Sequence, residues 1–238
     1  MTAIQLSAHH DRKLLAEVFR RSGRIHIPDL LEPESAEYLF RTLRDETEWS
    51  VLFANEGKGD AISIAAWREL PDQERQSLMN YILASGAHGF QFFYHGCFLH
   101  EGVALPPALQ AAKEFLNSAP FLKFAKAVTG ANDLHEADAQ ATLYRPGHFL
   151  NEHDDSNMPG EQRRIAYVLN MTPLWRPDWG GSLQFIADDG HIIEGYTPVF
   201  NAINLFRVPQ RHFVSAVAPH AGAGRYSITG WLRAKRRP

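Results

Sequence analysis

The sequence has a single cysteine, Cys97, so no intramolecular disulfide can form and nothing in its thiol content points to an oxidising compartment. Long apolar runs are missing too, and no stretch reaches the length that spans a bilayer. The first twenty or so positions alternate polar and apolar residues without the apolar core of a secretory signal. A charge excess of one sign is also lacking. With 24 Lys plus Arg against 27 Asp plus Glu, the net charge of −3 gives no global drive toward nucleic acid or an anionic membrane. These absences lead to the expectation of a soluble, cytoplasmic protein. The only basic cluster is Arg233-Ala234-Lys235-Arg236-Arg237, readable as a solvated end or as a local docking patch for an acidic group.

Gly/Ser/Pro-rich linkers, internal repeats and low-complexity segments are absent, and 238 residues suffice for one large core. The expectation is one domain over residues 1–238, with residues 1–130 as a mainly helical support region and 131–238 as the catalytic core. In the front half, Leu14, Leu15, Val18 and Phe19 recur at helical spacing, as do Ala36, Leu39 and Leu43. Pro71 and Asp72 form a helix start for a run to Ile82, with Gly86 as a stop signal. Two more helices are expected over 106–117 and 120–129. Strands are expected at 24–27 and 90–99.

Past residue 130 the texture changes to short β-rich runs broken by Gly, Pro, Asn and Asp. They fall at 137–144, 149–154, 164–170, 182–186, 191–194, 202–206, 212–217 and 225–232, with Asp188-Asp189-Gly190 as a hairpin turn. Strands at this spacing predict an α+β protein with a barrel or two-sheet jelly roll, the N-terminal helices packed on one sheet.

Chemistry concentrates in that second half. His153 and Asp155, at i and i+2, share one face if the strand continues through them. His212 opens an alternating strand, and a second imidazole delivered from a neighbouring strand would complete two histidines and one carboxylate around a metal, leaving the opposite positions open. With 12 histidines in the chain, a lone His-x-Asp is more often a surface pair than a ligand pair, and Asp154 is a rival carboxylate. The strand beginning at Arg225 carries Ser227 on the same side. A guanidinium and a hydroxyl on one face suit a carboxylate, because the planar fork donates two parallel hydrogen bonds.

Four ordered segments carry a family resemblance: Tyr144-Arg145-Pro146-Gly147-His148-Phe149-Leu150-Asn151-Glu152-His153-Asp154-Asp155, Trp179-Gly180-Gly181-Ser182-Leu183, Arg211-His212-Phe213-Val214, and Arg225 through Arg233. Together they resemble the iron(II)- and 2-oxoglutarate-dependent oxygenases, most closely the prolyl hydroxylase branch, whose core is a double-stranded β-helix (jelly roll). The resemblance implies that His153, Asp155 and His212 hold Fe(II), and that Arg225 binds the distal carboxylate of 2-oxoglutarate. It implies further that Tyr144 lines the cosubstrate pocket, with core packing as its alternative, and that Ser227 assists Arg225. Dioxygen would be the co-oxidant and ascorbate an activator, with succinate and carbon dioxide released as a C–H bond is hydroxylated. Gly180 and Gly181 read as turn or close-approach positions rather than chemistry.

One departure stands out. Where oxygen-sensing relatives carry a tyrosine that also touches the cosubstrate acid, this sequence has Val168. His148 and His220 read as histidines outside the metal set, and Asn204 and Arg164 as polar candidates near the barrel. The segment 52–66, with Gly57-Lys58-Gly59-Asp60, reads as a mobile loop over a substrate or as an ordinary surface connection. Trp175 and Trp179 read as an aromatic edge for a proline ring or, more plainly, as cover for the sheet. By analogy with the branch, the expected substrate is a prolyl residue in a protein or peptide. A free amino acid or other small metabolite, a nucleic-acid substrate disfavoured by charge, and a non-catalytic metal-binding jelly-roll module are the alternatives.

Overall fold

The computed structural model describes residues 3–156 and 162–234. Lys235, Arg236 and Arg237 of the basic cluster lie outside the described residues. In chain order the elements are α1 (Arg12–Ser22), β1 (Arg24–Ile27), α2 (Pro33–Asp45), β2 (Ser50–Asn55), β3 (Lys58–Ser63), α3 (Ile64–Glu69), α4 (Asp72–His88) and β4 (Phe92–Phe98). Then follow α5 (Pro107–Leu116), α6 (Ala119–Thr129), β5 (Leu134–Ala137), β6 (Gln140–Tyr144), β7 (Phe149–His153) and β8 (Arg163–Asn170). The chain closes with β9 (Leu183–Ile186), β10 (Ile192–Tyr196), β11 (Ala202–Arg207), β12 (His212–Val214) and β13 (Arg225–Ala234). Among the described residues no helix is long and apolar enough to cross a membrane.

Local rules account for the helix ends. Asp11 caps α1 by accepting from the backbone N–H groups of Lys13 and Leu14, and Gly23 ends it at φ 72°, a left-handed conformation that costs glycine little. Helix α4 departs from expectation: it passes through Gly86 to His88. The bare backbone there lies against β7, since a Cβ at Gly86 would sit 3.4 Å from the Phe149 ring, and the Gly86 carbonyl accepts from Asn151 Nδ2 at 2.8 Å. Gly86 is a helical residue within contact distance of Phe149, not a stop.

The strands form a nearly closed antiparallel sheet in the order β1-β11-β8-β13-β6-β4-β7-β12-β9-β10, with β2 joined to β4, β3 to β2, and β5 to β13. The result is an α+β jelly roll, with helices and sheet sharing a core. Residue alternation decides which side faces what. On β8, Ile165, Tyr167 and Leu169 join Ile203, Leu205, Ile228 and Leu232 in a core built with Phe19, Leu39, Leu109 and Phe121 of the helices. Ala166 and Val168, on the opposite pleat, face the barrel interior with Leu183, Phe185 and Phe206. Both faces of β8 are therefore buried, and its run reads as almost continuously apolar.

Two expectations are corrected. The run 137–144 is split into β5 and β6, because Asp138 leaves the ladder: its carboxylate accepts from the Trp231 N–H at 2.7 Å, and its carbonyl accepts from the Tyr167 hydroxyl at 2.7 Å. The segment 52–66 is not a loop. Residues 52–63 lie within the β2–β3 hairpin, whose turn at Glu56 and Gly57 has φ 50° and 78°, and residues 64–66 open α3. The Gly-rich stretch is the hairpin tip, and the front half thus lends β1 to β4 to the sheet.

Candidate metal centre and adjoining cavity

Strands β7 and β12 pair antiparallel, with His212 directly opposite His153. Their ring centroids lie 4.1 Å apart. The Asp155 carboxylate approaches both rings, with Oδ1 3.5 Å from His153 Nε2 and Oδ2 3.6 Å from His212 Nε2. One donor atom from each of the three lies within 4.8 Å of the others. The expected route to this cluster is corrected in one respect: β7 ends at His153, and Asp155 lies beyond it at φ 59°. Its carboxylate is brought round by a left-handed turn, a conformation that aspartate tolerates better than most residues, and not by the pleat of a continuing strand.

Each imidazole is held by its own strand. His153 Nδ1 is 2.8 Å from the Asn151 carbonyl, and His212 Nδ1 is 2.7 Å from the Gln210 carbonyl. A carbonyl only accepts, so both Nδ1 atoms carry the proton and both Nε2 lone pairs turn toward the carboxylate. Burial first, and the neighbouring His153 second, push the His212 imidazole down to about 4, which keeps it neutral near neutral pH. Two neutral nitrogens and one carboxylate on one side of a common point suit a divalent first-row ion with open positions opposite. Asp154 faces elsewhere: it accepts from the Ser156 N–H at 2.9 Å.

The three groups open onto a cavity of about 890 Å³. Its floor is a grid set by strand register. Tyr144 on β6 stands opposite Arg225 on β13, and Thr142 opposite Ser227, with Gln140 opposite Thr229 and Val168 opposite Thr229 on its other side. Period-two alternation then puts Tyr144, Thr142 and Gln140 on one side of β6, and Arg225, Ser227, Thr229 and Trp231 on one side of β13. All of these line the cavity.

Arg225 is the largest fully buried side chain, 2% exposed. Its guanidinium stacks over the Tyr144 ring at 4.9 Å, and its Nε has no hydrogen-bond partner among the described residues. Burial draws this group below its ordinary value and Tyr144 opposes the shift; no carboxylate contributes. A buried guanidinium without an anionic partner costs several kcal/mol, on the order of that for any desolvated ion. An acid bound beside it would offset that cost. The Ser227 and Thr142 hydroxyls bond to each other at 2.6 Å.

Other sequence candidates lie outside this arrangement. His148 is buried with its ring 4.7 Å from those of Phe93 and His95, and His220 is exposed. Asn204 bonds His26 Nδ1 at 2.7 Å, and Arg164 pairs with Asp133. Trp175 donates to the Gly180 carbonyl and packs edge-on against Trp179, and neither lines the cavity. Gly180 is a close-approach position, since a Cβ there would meet the Ala216 carbonyl oxygen at 2.1 Å.

Sequence reasoning missed the wall opposite. From Phe90 through Phe92 to Tyr94, ring centroids 5.9 and 5.5 Å apart run down β4, and Tyr94 then stacks on Tyr144 at 4.9 Å. The period-two aromatics were visible, but only pairing with β6 and β7 places them beside the cluster.

Residues 139–233 match the family model described as the 2OG-Fe(II) oxygenase superfamily. Over 87 residues, 34% of this chain, it is 36% identical to the mouse prolyl 3-hydroxylase OGFOD1, of which that stretch spans only 15%. Among solved structures, a Pseudomonas putida prolyl-4-hydroxylase is similar in fold at a TM-score of 0.61 and 20% identity, over 94% of this chain and 99% of that one. A Trichoplax adhaerens prolyl hydroxylase, solved with a hypoxia inducible factor peptide fragment, is similar at 0.59 and 15% identity, over 94% and 89%. Motif match, jelly roll and His-Asp-His cluster converge on one likeness: residues 139–233 are similar to the 2OG-Fe(II) oxygenase superfamily, and the fold of the chain is similar to that of prolyl hydroxylases.

Proposed function

We propose that this protein is an Fe(II)- and 2-oxoglutarate-dependent dioxygenase that hydroxylates a prolyl residue in a protein or peptide substrate, with His153, Asp155 and His212 as the iron ligands and Arg225 as the anchor of the 2-oxoglutarate distal carboxylate. One observation carries the assignment of roles: a two-imidazole and carboxylate cluster and a buried guanidinium that has no acid partner among the described residues open onto the same cavity. The prolyl choice rests on the likeness of the catalytic half to a prolyl 3-hydroxylase.

Iron(II) held by His153, Asp155 and His212, with 2-oxoglutarate and dioxygen, would supply oxidative decarboxylation to succinate and carbon dioxide, one oxygen atom going to succinate and the other to a C–H bond of the substrate. The protein's part is orientation and exclusion of water. The Asn151 and Gln210 carbonyls fix the tautomers that present both Nε2 atoms. Arg225 aligns the acid through two parallel hydrogen bonds, its plane held on the Tyr144 face. Ser227, on the same pleat and bonded to Thr142, supports that end as a hydroxyl able to rotate toward the acid. Phe90, Phe92, Phe98 and Trp231 give the rest of the cavity an apolar lining that suits a pyrrolidine ring. No side chain is needed as a general base.

The test is aerobic turnover with Fe(II), 2-oxoglutarate and ascorbate against a proline-containing peptide pool and cell-extract proteins. Succinate is measured, and mass spectrometry looks for the gain of one oxygen on proline. Succinate with oxidised proline supports the reading. Succinate coupled only to a free amino acid or metabolite overturns the protein substrate, and absence of both iron and 2-oxoglutarate binding overturns the whole assignment.

A further inference from the structure

Resting on the protein-substrate reading just proposed, we infer that Lys113 is a specificity residue whose ammonium receives an acidic side chain of the peptide, about six residues from the target proline. The cavity continues well beyond the metal and cosubstrate residues. At the metal end the Phe90 ring lies 5.4 Å from that of His153, and from there the wall follows β4 through Phe92 to Phe98. Past the strand the cavity is lined by His100 and Glu101, together with Lys113 of α5 and residues 137–140. The Leu99 N–H donates to the Ala139 carbonyl at 3.0 Å, which holds this end of β4 against that segment. Phe90 and Phe98 are 50% and 47% exposed, so the aromatic track is open to solvent at both ends.

The position of Lys113 follows from how α5 is tied down. Asn117, just past the helix, donates to the Ala137 carbonyl and accepts from the Ala137 N–H, each at 2.9 Å. This clamps the end of α5 to β5. Lys113 comes four residues earlier, on the same helix face, so its stem runs beside β5 to the cavity it lines.

Its charge has no answer within the protein. Lys113 is half-buried, and among the described residues its ammonium has no ion pair. The nearby acids are committed elsewhere or turned to water: Asp138 accepts from the Trp231 N–H and from Arg233, Glu114 accepts from Gln110, and Glu101 is exposed. A partly desolvated cation at the end of an apolar track favours an incoming carboxylate and disfavours a second cation.

Length selects the occupant. Phe92 and Phe98 are six residues apart on one strand, roughly 20 Å at about 3.3 Å per residue. A free amino acid held at the cluster cannot span that, whereas an extended peptide covers it in about six residues.

The test uses anaerobic protein loaded with Fe(II) and 2-oxoglutarate, and fluorescent peptides with one proline in a Gly/Ser/Ala background. Glu, Gln or Lys is placed at successive positions on either side of the proline, and Kd is read by anisotropy. We expect Glu at a spacing of about six to bind about three- to fivefold more tightly than Gln, and Lys to bind more weakly than Gln. Lys113→Glu is expected to invert that order and Lys113→Gln to abolish it, with the 2-oxoglutarate Kd equal in all three proteins. The same order in wild type and Lys113→Glu overturns the inference, as does wild type without an acid preference. A shifted 2-oxoglutarate Kd also overturns it, by placing Lys113 at the cosubstrate. Should Lys113→Glu fail to fold, Lys113→Gln alone decides, since retained preference there has the same force. If wild type binds no proline peptide, the protein-substrate reading falls as well, a result distinct from peptide binding that ignores the acid.

Discussion

His153 and His212 face each other across a single antiparallel rung, and each donates its Nδ1 proton to a carbonyl two residues back on its own segment. The two imidazoles are oriented before any ion arrives. What they lack is charge, and Asp155 supplies it from beyond the strand end.

Asp155→Ala is therefore expected to lower Fe(II) affinity by at least about a hundredfold, more than the ten- to hundredfold loss typical of groups that merely orient ligands. Metal analysis after dialysis against a weak chelator measures this. Full retention of iron would show that the carboxylate ligand lies elsewhere, with Asp154→Ala as the companion variant. His148→Ala and His220→Ala are expected to keep their metal.

Arg225→Lys retains the charge and loses the fork. Because the ammonium cannot make two parallel hydrogen bonds or stack on Tyr144, the KM for 2-oxoglutarate is expected to rise at least about tenfold while iron content holds. Equal KM values would remove Arg225 from the cosubstrate site.

Buried His148 and half-buried His95 together set an acid limit on stability. Burial first, then the neighbouring His95, pushes His148 from 6.5 down to about 3. Burial first, then Arg145 and Arg68, pushes His95 down to about 4. Between those values and 6.5 the unfolded chain binds more protons than the folded one. Stability is thus full above about 6.5 and falls as pH drops toward 3, by several kcal/mol at most. His148→Phe, which keeps a ring against Phe93, is expected to flatten that acid limb in urea denaturation between pH 7 and 4. An unchanged slope would exclude the pair as its cause.

Gly180 and Gly57 separate two reasons for glycine. Both have positive φ, 68° and 78°, but a Cβ at Gly180 would strike the Ala216 carbonyl while one at Gly57 meets nothing within 4 Å. Gly57→Ala is expected to cost about 1 kcal/mol of stability from backbone strain alone, and Gly180→Ala clearly more, with a lower Tm to match. Equal Tm shifts would show that the approach of Gly180 to Ala216 relaxes without cost.

The order of elements was largely legible in the sequence, because apolar periodicity and turn residues are local. The helices around Leu39, Leu109 and Phe121 and the strands around Val168, Leu205 and Ile228 fall close to where their patterns place them. Asp138 was not legible as a break, since the Trp231 N–H and Arg233 that hold its carboxylate come from the far end of the chain. Nor was Gly86 as a helical residue, because its neighbours Phe149 and Asn151 come from a strand more than sixty residues away.

For the site, the sequence by itself determined the chemical inventory: two histidines and an aspartate of the right types, and an arginine and a serine at strand spacing, recognisable because donor chemistry and period two are properties of residues and their near neighbours. Only the tertiary structure decided that Asp155 reaches the imidazoles through a left-handed turn, that Arg225 is buried without an acid partner among the described residues, and that Tyr94, from a strand in the front half, stacks on Tyr144. Those facts depend on register between strands distant in the chain, and a pairing shifted by one residue would turn each of these side chains to the opposite face.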